Sequence, residues 1–271
     1  MPYFYIQKLH IMTEILKERH QIKEKAKPYE RFYNNADTVA ILIHGFTGTP
    51  YDMRELADFL FENGADVMVV RLAGHGSHIE DLSRASYHDW YSSVREVVDR
   101  VPAAKRIFLI GYSFGSNIAL DMAGKEPGLF KGVVCLGPSV YWHGRLYFAF
   151  LYPIFRLFKI SKVRKPYVPK YQVEQWESTG NYAYFPTFGF REFRKFVTHE
   201  TKKNLHKVIT PTLIIHSRGD SISHPTSSEY VFEHIASSYK EMFLLPDLNH
   251  NPLSSENKNK IFKRVLQFVQ S

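Results

Sequence analysis

The feature that most constrains this chain is the stretch Arg106-Ile-Phe-Leu-Ile-Gly-Tyr-Ser-Phe-Gly-Ser-Asn-Ile-Ala-Leu-Asp-Met-Ala123. An apolar run from Ile107 to Ile110 gives way, through Gly111-Tyr-Ser-Phe-Gly115, to the helical spacing of Ile118, Ala119, Met122 and Ala123. This pattern predicts a buried strand that turns sharply into a helix, with Ser113 at the apex. Glycines two before and two after the serine suit a crowded backbone, where side chains would strike the neighbouring strand or helix. The Ser113 hydroxyl then stands at the carboxyl edge of the sheet, and the Phe114 amide faces the place where an oxyanion would form. A bare G-x-S-x-G arises by chance in roughly one chain in ten of this length, so its partners must decide its meaning.

The rest of the chain supplies the sheet. Val39 to Ile43 reads as a buried strand running into the glycine-rich turn His44-Gly-Phe-Thr-Gly-Thr-Pro50. That turn has no lysine and no G-x-G-x-x-G spacing, which disfavours nucleotide binding. A helix follows with Met53, Leu56, Ala57, Leu60 and Phe61 on one face and Gly64 as its stop. Asp66 to Leu72 is the next strand, leading through Gly74-His-Gly76 to a helix carrying Trp90, Val94, Val97, Val98 and Val101. Later strands are expected at Val133 to Leu136, at Thr212 to His216 (ending in Ser217-Arg-Gly-Asp220) and at Met242 to Leu245, before a loop with His250 and a last amphipathic helix. Apolar strands alternating with amphipathic helices predict an α/β fold, a mainly parallel sheet with helices on both faces. Chemistry then belongs on the loops at the carboxyl ends of the strands. The stretch from Pro138 to about Ile209 reads as long and irregular.

A serine hydroxyl needs a base to take its proton as it attacks, and histidine suits that role near neutral pH. A buried carboxylate orients the imidazole and stabilises its charged form. On this architecture the expected order is Ser, then acid, then His, and the chain offers Ser113, Asp220 and His250. With 13 histidines present, position must select among them. His216 lies at the end of its strand and reads as structural, while His199, His206, His224 and His234 read as surface. Asp247, three residues before His250, competes with Asp220, but so local a carboxylate more often serves a turn. The second oxyanion amide is expected from Phe46, with Gly45 allowing close approach and His44 hydrogen-bonding within its own loop. The single cysteine, Cys135, sits in an apolar run and reads as a buried thiol, and its solitude excludes an intramolecular disulfide.

Taken together, these motifs resemble the α/β-hydrolase superfamily and, within it, the monoacylglycerol lipase and small carboxylesterase group. The resemblance rests on His44-Gly-Phe-Thr-Gly48, Gly74-His-Gly76, Trp90, Gly111-Tyr-Ser-Phe-Gly115, Arg218-Gly-Asp220 and His250, spanning residues 28–271. It implies an α/β-hydrolase core at 28–137 and 210–271, a lid inserted at 138–209 after the strand that follows the nucleophile elbow, and an N-terminal extension at 1–27. It also implies Ser113, Asp220 and His250 as nucleophile, acid and base, Phe46 and Phe114 as oxyanion donors, and neither cofactor nor metal. The sequence departs from the family at Asn249, where glycine is usual, and at Ser116, where glycine or alanine is common. The implied activity is hydrolysis of carboxylic esters through an acyl-serine, and the apolar character of the inserted segment makes short- to medium-chain acyl esters or monoacylglycerol the expected substrates. A thioesterase or acyltransferase with the same triad, and a catalytically idle binding module, stay open as alternatives.

Charge and aromatic content bear on the lid. It holds Tyr141, Trp142, Tyr147, Phe148, Phe150, Tyr152, Phe155 and Phe158. Seven basic residues (Arg145, Arg156, Lys159, Lys162, Arg164, Lys165 and Lys170) precede its first acid, Glu174, against a net charge of +8 for the whole chain. Two readings stay open: aromatics packed on the main domain with lysines in water, or an acyl pocket whose basic rim makes transient contact with lipid or a membrane surface. Nucleic acid is not expected, because the basic residues accompany bulky aliphatics and no binding module is present. Residues 1–30 mix Ile11, Ile15, Leu16 and Ile22 with charges of both signs, so a segment packed on the main domain is expected over an amphipathic helix at a membrane. The lack of a long apolar run and of a signal-peptide pattern gives a soluble, cytoplasmic protein as the expectation. Oligomeric state is left open.

Overall fold

The alternation of apolar strands and helices resolves into one seven-stranded sheet in a computed structural model, which describes residues 18–33, 35–246, 250, 253 and 257–271, with the backbone alone for 146–149 and 156. The strands are β1 (Tyr29–Arg31), β2 (Thr38–Ile43), β3 (Asp66–Val70), β4 (Arg106–Tyr112), β5 (Phe130–Leu136), β8 (Thr212–Ser217) and β9 (Lys240–Leu245), and β6 (Lys162–Arg164) pairs with β7 (Tyr184–Pro186) in a separate antiparallel ribbon. The sheet order is β1-β3-β2-β4-β5-β8-β9, parallel throughout except for β1, which runs antiparallel to β3. Because successive strand residues face opposite sides, Val39, Ile41 and Ile43 enter one apolar cluster and Ala40 and Leu42 the other. Both faces of β2 are thus dry, which is why the central strands carry almost no polar residues.

Helices cover the two faces. Among them α1 (Arg54–Glu62) buries Leu56, Ala57 and Leu60, and stops where Gly64 takes φ +94°. Two helices follow β3, α2 (Ile79–Arg84) and α3 (Tyr87–Asp99). A capping box between Ser86 and Asp89 opens α3, which buries Trp90, Val94 and Val98. α4 (Phe114–Lys125) is buried from Phe114 to Gly124, so it is the central helix of the molecule. The C-terminal α9 (Lys258–Gln270) buries Ile261, Phe262, Val265, Phe268 and Val269.

The stretch after β5 corrects the expectation of irregular chain. It contains α5 (Arg145–Leu157), β6, α6 (Val173–Ser178), β7 and α7 (Thr187–Phe196), with α8 (Thr226–His234) following β8. Pro153 lies inside α5 and Pro186 ends β7, so prolines here interrupt the sequence signal without preventing the elements. Phe190, Phe193 and Phe196 of α7 join the same apolar cluster as Trp90 and Phe114.

Residues 18–27 pack on the main domain, as expected of that segment, and the remaining N-terminal residues discussed above lie outside the described ones. Glu18 pairs with Arg71 at 2.7 Å and accepts from the Gly74 amide, and Ala26 is fully buried. The anchor is Asp81, whose carboxylate is inaccessible and accepts from the amides of Arg19 (2.9 Å) and His20 (3.3 Å), the Ser77 hydroxyl (2.8 Å) and Arg84 (2.6 Å). Among the described residues no helix is long and apolar enough to cross a membrane.

Burial alone would raise the Asp81 carboxyl, but the Arg19 amide and the Ser77, Arg84 and His20 side chains outweigh it and hold it at about 2. An unfolded aspartate titrates at ~3.9, so the ionised form contributes roughly 2 to 3 kcal/mol above that pH, lost as pH falls through about 2. Urea unfolding of wild type and Asp81→Asn at pH 6, 4 and 3 should show the stability gap shrinking as pH falls. A gap that stayed constant would assign the cost to shape and not to charge.

Candidate active site

At the end of β4 the chain has no room for side chains. A Cβ on Gly115 would lie 2.1 Å from the Ile43 carbonyl oxygen, and one on Gly111 would lie 2.3 Å from the Gly115 backbone. The helix therefore starts against the strands themselves, and Ser113 between the glycines takes φ +52°, a conformation that non-glycine residues rarely adopt. Its amide donates to the Leu136 carbonyl at 2.8 Å, tying the elbow to β5. Ser116, a departure from the family pattern, donates its hydroxyl to the Gly111 carbonyl at 2.7 Å and so braces the same turn.

The structure brings Ser113, His250 and Asp220 into one line. His250 Nε2 is 3.0 Å from Ser113 Oγ, and His250 Nδ1 is 2.8 Å from Asp220 Oδ2. With Nδ1–H donating to the carboxylate, Nε2 is left as the acceptor for the serine proton. Ser113 is 8% exposed and Asp220 3%, while the His250 side chain retains 13% and faces the cavity. Burial would raise Asp220, but hydrogen bonds from His216 and His250, with lesser help from the Ile222 amide, hold it well below the usual carboxylate range. It therefore presents an anion to His250. The competing Asp247 lies outside the described residues, as does Asn249.

Sequence reasoning missed His216's second role. It is structural, as expected, being 1% exposed, but its Nε2 lies 3.0 Å from Asp220 Oδ2 and its Nδ1 lies 2.6 Å from Ser228 Oγ. A neutral ring that donates from Nε2 and accepts at Nδ1 satisfies both contacts. The four remaining histidines read as surface are all exposed.

The turn after β2 approaches the serine through Gly45, where an added Cβ would meet Ser113 Cβ at 3.1 Å. The Gly45 carbonyl accepts from His44 Nδ1–H (2.9 Å) and from the Gly48 amide (3.0 Å), which turns the Phe46 amide of the same peptide unit the other way. His44 Nε2 accepts from the Leu72 amide, and burial lowers its pKa to about 4, so it is neutral. Phe114 is the first residue of α4, where amides have no partner within the helix. The Gly74-His-Gly76 motif supplies His75, fully buried and held far below its usual pKa by that burial, whose Nε2 accepts from the Thr47 amide at 3.1 Å.

The serine and histidine open on a cavity of about 810 Å³. Phe46, Trp142, Leu151, Phe155, Phe185 and Phe193 give it an apolar wall, so part of the inserted aromatic set lines the pocket. Other apolar side chains of the insertion point to solvent: Phe150, Leu157 and Phe158 are 78%, 75% and 70% exposed. Lys165 corrects the expected basic rim. It is 2% exposed, with burial lowering its pKa to about 7, and it lines the cavity, because Tyr167, Trp176 and Phe185 close around its ammonium. Cys135 is fully buried and its thiol is pushed up by burial, in keeping with a packed, inert role.

The family described as serine aminopeptidase, S33 matches residues 34–257. The thermostable monoacylglycerol lipase of Bacillus sp. (strain H-257) is 28% identical over 263 residues, covering 93% of this chain and 98% of that protein. The carboxylesterase of Bacillus subtilis (strain 168) is 21% identical over 253 residues, covering 90% and 96%. Among solved structures, one of the metagenome-derived lipolytic enzymes LipS and LipT superposes with a TM-score of 0.79 at 23% identity, over 92% of this chain and 99% of the other.

Since the elbow leaves no space at Gly115, Gly115→Ala should cost about 3 kcal/mol by overpacking and displace Ser113. Chemical denaturation and reaction with a fluorophosphonate would both fall. Full stability together with full labelling would show that the contact with Ile43 relaxes freely.

Proposed function

This chain belongs to the serine aminopeptidase S33 family of α/β-hydrolases, an enzyme of the monoacylglycerol lipase and esterase group, and we propose that it cleaves carboxylic esters through an acyl-Ser113 intermediate. The observation that carries the proposal is the continuous Asp220–His250–Ser113 hydrogen-bond line facing an apolar cavity. His250 Nε2 takes the Ser113 proton as Oγ attacks the carbonyl carbon. Asp220 keeps the imidazole in the right tautomer and stabilises its cation. The amides of Phe46 and Phe114 receive the negative charge on the former carbonyl oxygen. His250 then protonates the departing alkoxide, and the reverse sequence with water releases the acid and restores Ser113.

The apolar wall supports short- to medium-chain acyl esters or monoacylglycerols as substrates, with no cofactor in the reaction. Hydrolysis of p-nitrophenyl esters from acetate to palmitate should peak at one chain length. Ser113→Ala should lower the rate by roughly 10⁴-fold or more. Activity surviving that substitution would remove Ser113 as nucleophile. Faster turnover of matched thioesters, or transfer to added alcohols, would move the reading to a thioesterase or acyltransferase, and silence on all substrates would favour a binding role.

We further propose that residues 138–209 act as a lid whose outer face meets lipid transiently. Phe150, Leu157 and Phe158 project from and just beyond α5, beside the exposed Lys159 and Lys162. An exposed apolar patch flanked by cations suits an anionic interface. Serine at all three apolar positions should weaken sedimentation with anionic vesicles by about tenfold and leave hydrolysis of a soluble acetate ester unchanged. Equal binding of the two proteins would remove the interface.

A further inference from the structure

The turn that carries the Phe46 amide is held in a conformation it would not adopt alone. Thr47 has φ +65°, and a β-branched residue there is strained. Each polar atom of Thr47 has a partner. Its amide donates to His75 Nε2 at 3.1 Å and its carbonyl accepts from the Tyr182 amide at 3.0 Å. Its hydroxyl donates to the Phe46 carbonyl at 2.5 Å and accepts from Lys165 Nζ at 2.5 Å. Only His75 comes from the sheet side; Tyr182 and Lys165 belong to the chain inserted between β5 and β8, where the Lys165 amide donates to the Ala183 carbonyl. As a donor, Lys165 Nζ therefore decides which way the Thr47 hydroxyl points. With a lone pair taken by Lys165, the O–H is directed to the Phe46 carbonyl and fixes the peptide unit that follows Phe46. The preceding unit, which carries the Phe46 amide, is held on its other side by His44 and Gly48, so the direction of that amide depends on both sets of bonds.

We propose that Lys165 is a positioning residue for the oxyanion hole, acting through the Thr47 hydroxyl to aim the Phe46 amide. This rests on the reading of Ser113 as nucleophile and Phe46 as oxyanion donor. Lys165 is suited to this part. Its ammonium is enclosed by Tyr167, Trp176 and Phe185, with ring centroids 5.8, 5.2 and 5.2 Å away, so its reach toward Thr47 is set by packing. Nearby Asp52 acts on Lys165 through its charge, while its own hydrogen bonds come from the Thr49 amide and the Asn181 side chain, and the hydrogen bond from Nζ goes to the threonine. The inserted segment thus helps to build the reaction centre as well as covering it.

The test is a double-mutant cycle in kcat and KM with a p-nitrophenyl ester. Lys165→Met removes the donor at similar length, and Thr47→Val keeps the branched shape without the hydroxyl. Each should lower kcat by roughly 10- to 100-fold, the range expected when a catalytic group is displaced by up to an ångström, with KM within about twofold of wild type. The double variant should be no slower than the slower single, because both cut the same link. Lys165→Gln, which keeps an N–H donor, should recover most of kcat. Effects that multiply, a change confined to KM, or wild-type kcat in the single variants would each overturn the proposal. If Lys165→Met fails to fold, Thr47→Val decides alone: a kcat loss with unchanged KM is expected, and wild-type kcat overturns the proposal. Wild-type hydrolysis that does not need Ser113 removes the underlying reading, whereas Ser113-dependent hydrolysis with an unaffected Lys165→Met removes this inference alone.

Discussion

No atom fits between Gly115 and the carbonyl of Ile43, and much of the molecule follows from that contact. It lets α4 begin directly against β2 and β4, the two central strands, and a helix so placed must be buried on every side. Burial of the helix in turn demands apolar cover from Trp90 on one element and Phe193 and Phe196 on another. The same contact forces Ser113 into its strained backbone conformation, which lifts the hydroxyl out of the helix and toward His250. Packing and chemistry are here two results of one steric exclusion.

Four histidines around this centre show how environment assigns roles to one residue type. Burial makes His44 and His75 neutral, and as neutral rings they accept backbone amides that hold the adjoining turns. His216 is equally buried but meets a carboxylate, so it serves as a donor that helps keep Asp220 ionised. His250 alone of the four combines a carboxylate at one nitrogen with a hydroxyl and open cavity at the other. That asymmetry, and not its identity as histidine, is what would suit it to move a proton under the proposed mechanism.

That Ser113, Asp220 and His250 would meet, with the amides proposed for the oxyanion close by, could be expected from sequence because each follows a recognisable strand, and strand ends in a parallel sheet share one edge. Local pattern and chain order carried that information. Lys165 could not be read this way. It lies in a run with Lys162 and Arg164, which looks like a solvated face, and only the long-range closure of Tyr167, Trp176 and Phe185 around it puts it inside. The elements of the inserted segment were obscured for a similar reason: Pro153 breaks the helical signal of α5, and β6 and β7 are three residues each, too short to show alternation. His75 and His216 were visible as residues, but their partners are fixed by tertiary packing, which spacing does not encode.

The separation in sequence of the parts of the centre has a consequence for the growing chain. Ser113 and His250 are 137 positions apart, and Thr47 and Lys165 are 118 apart. Contacts of such span form only after the intervening loops have closed, so they belong to the late stages of assembly. A chain still emerging from the ribosome would have its elbow formed around β2, β4 and β5 while β9 and the loop beyond it were still to be made. The serine would then be shaped but chemically silent. Under the proposed mechanism, activity would wait for the last strand to dock and would report that the sheet is complete.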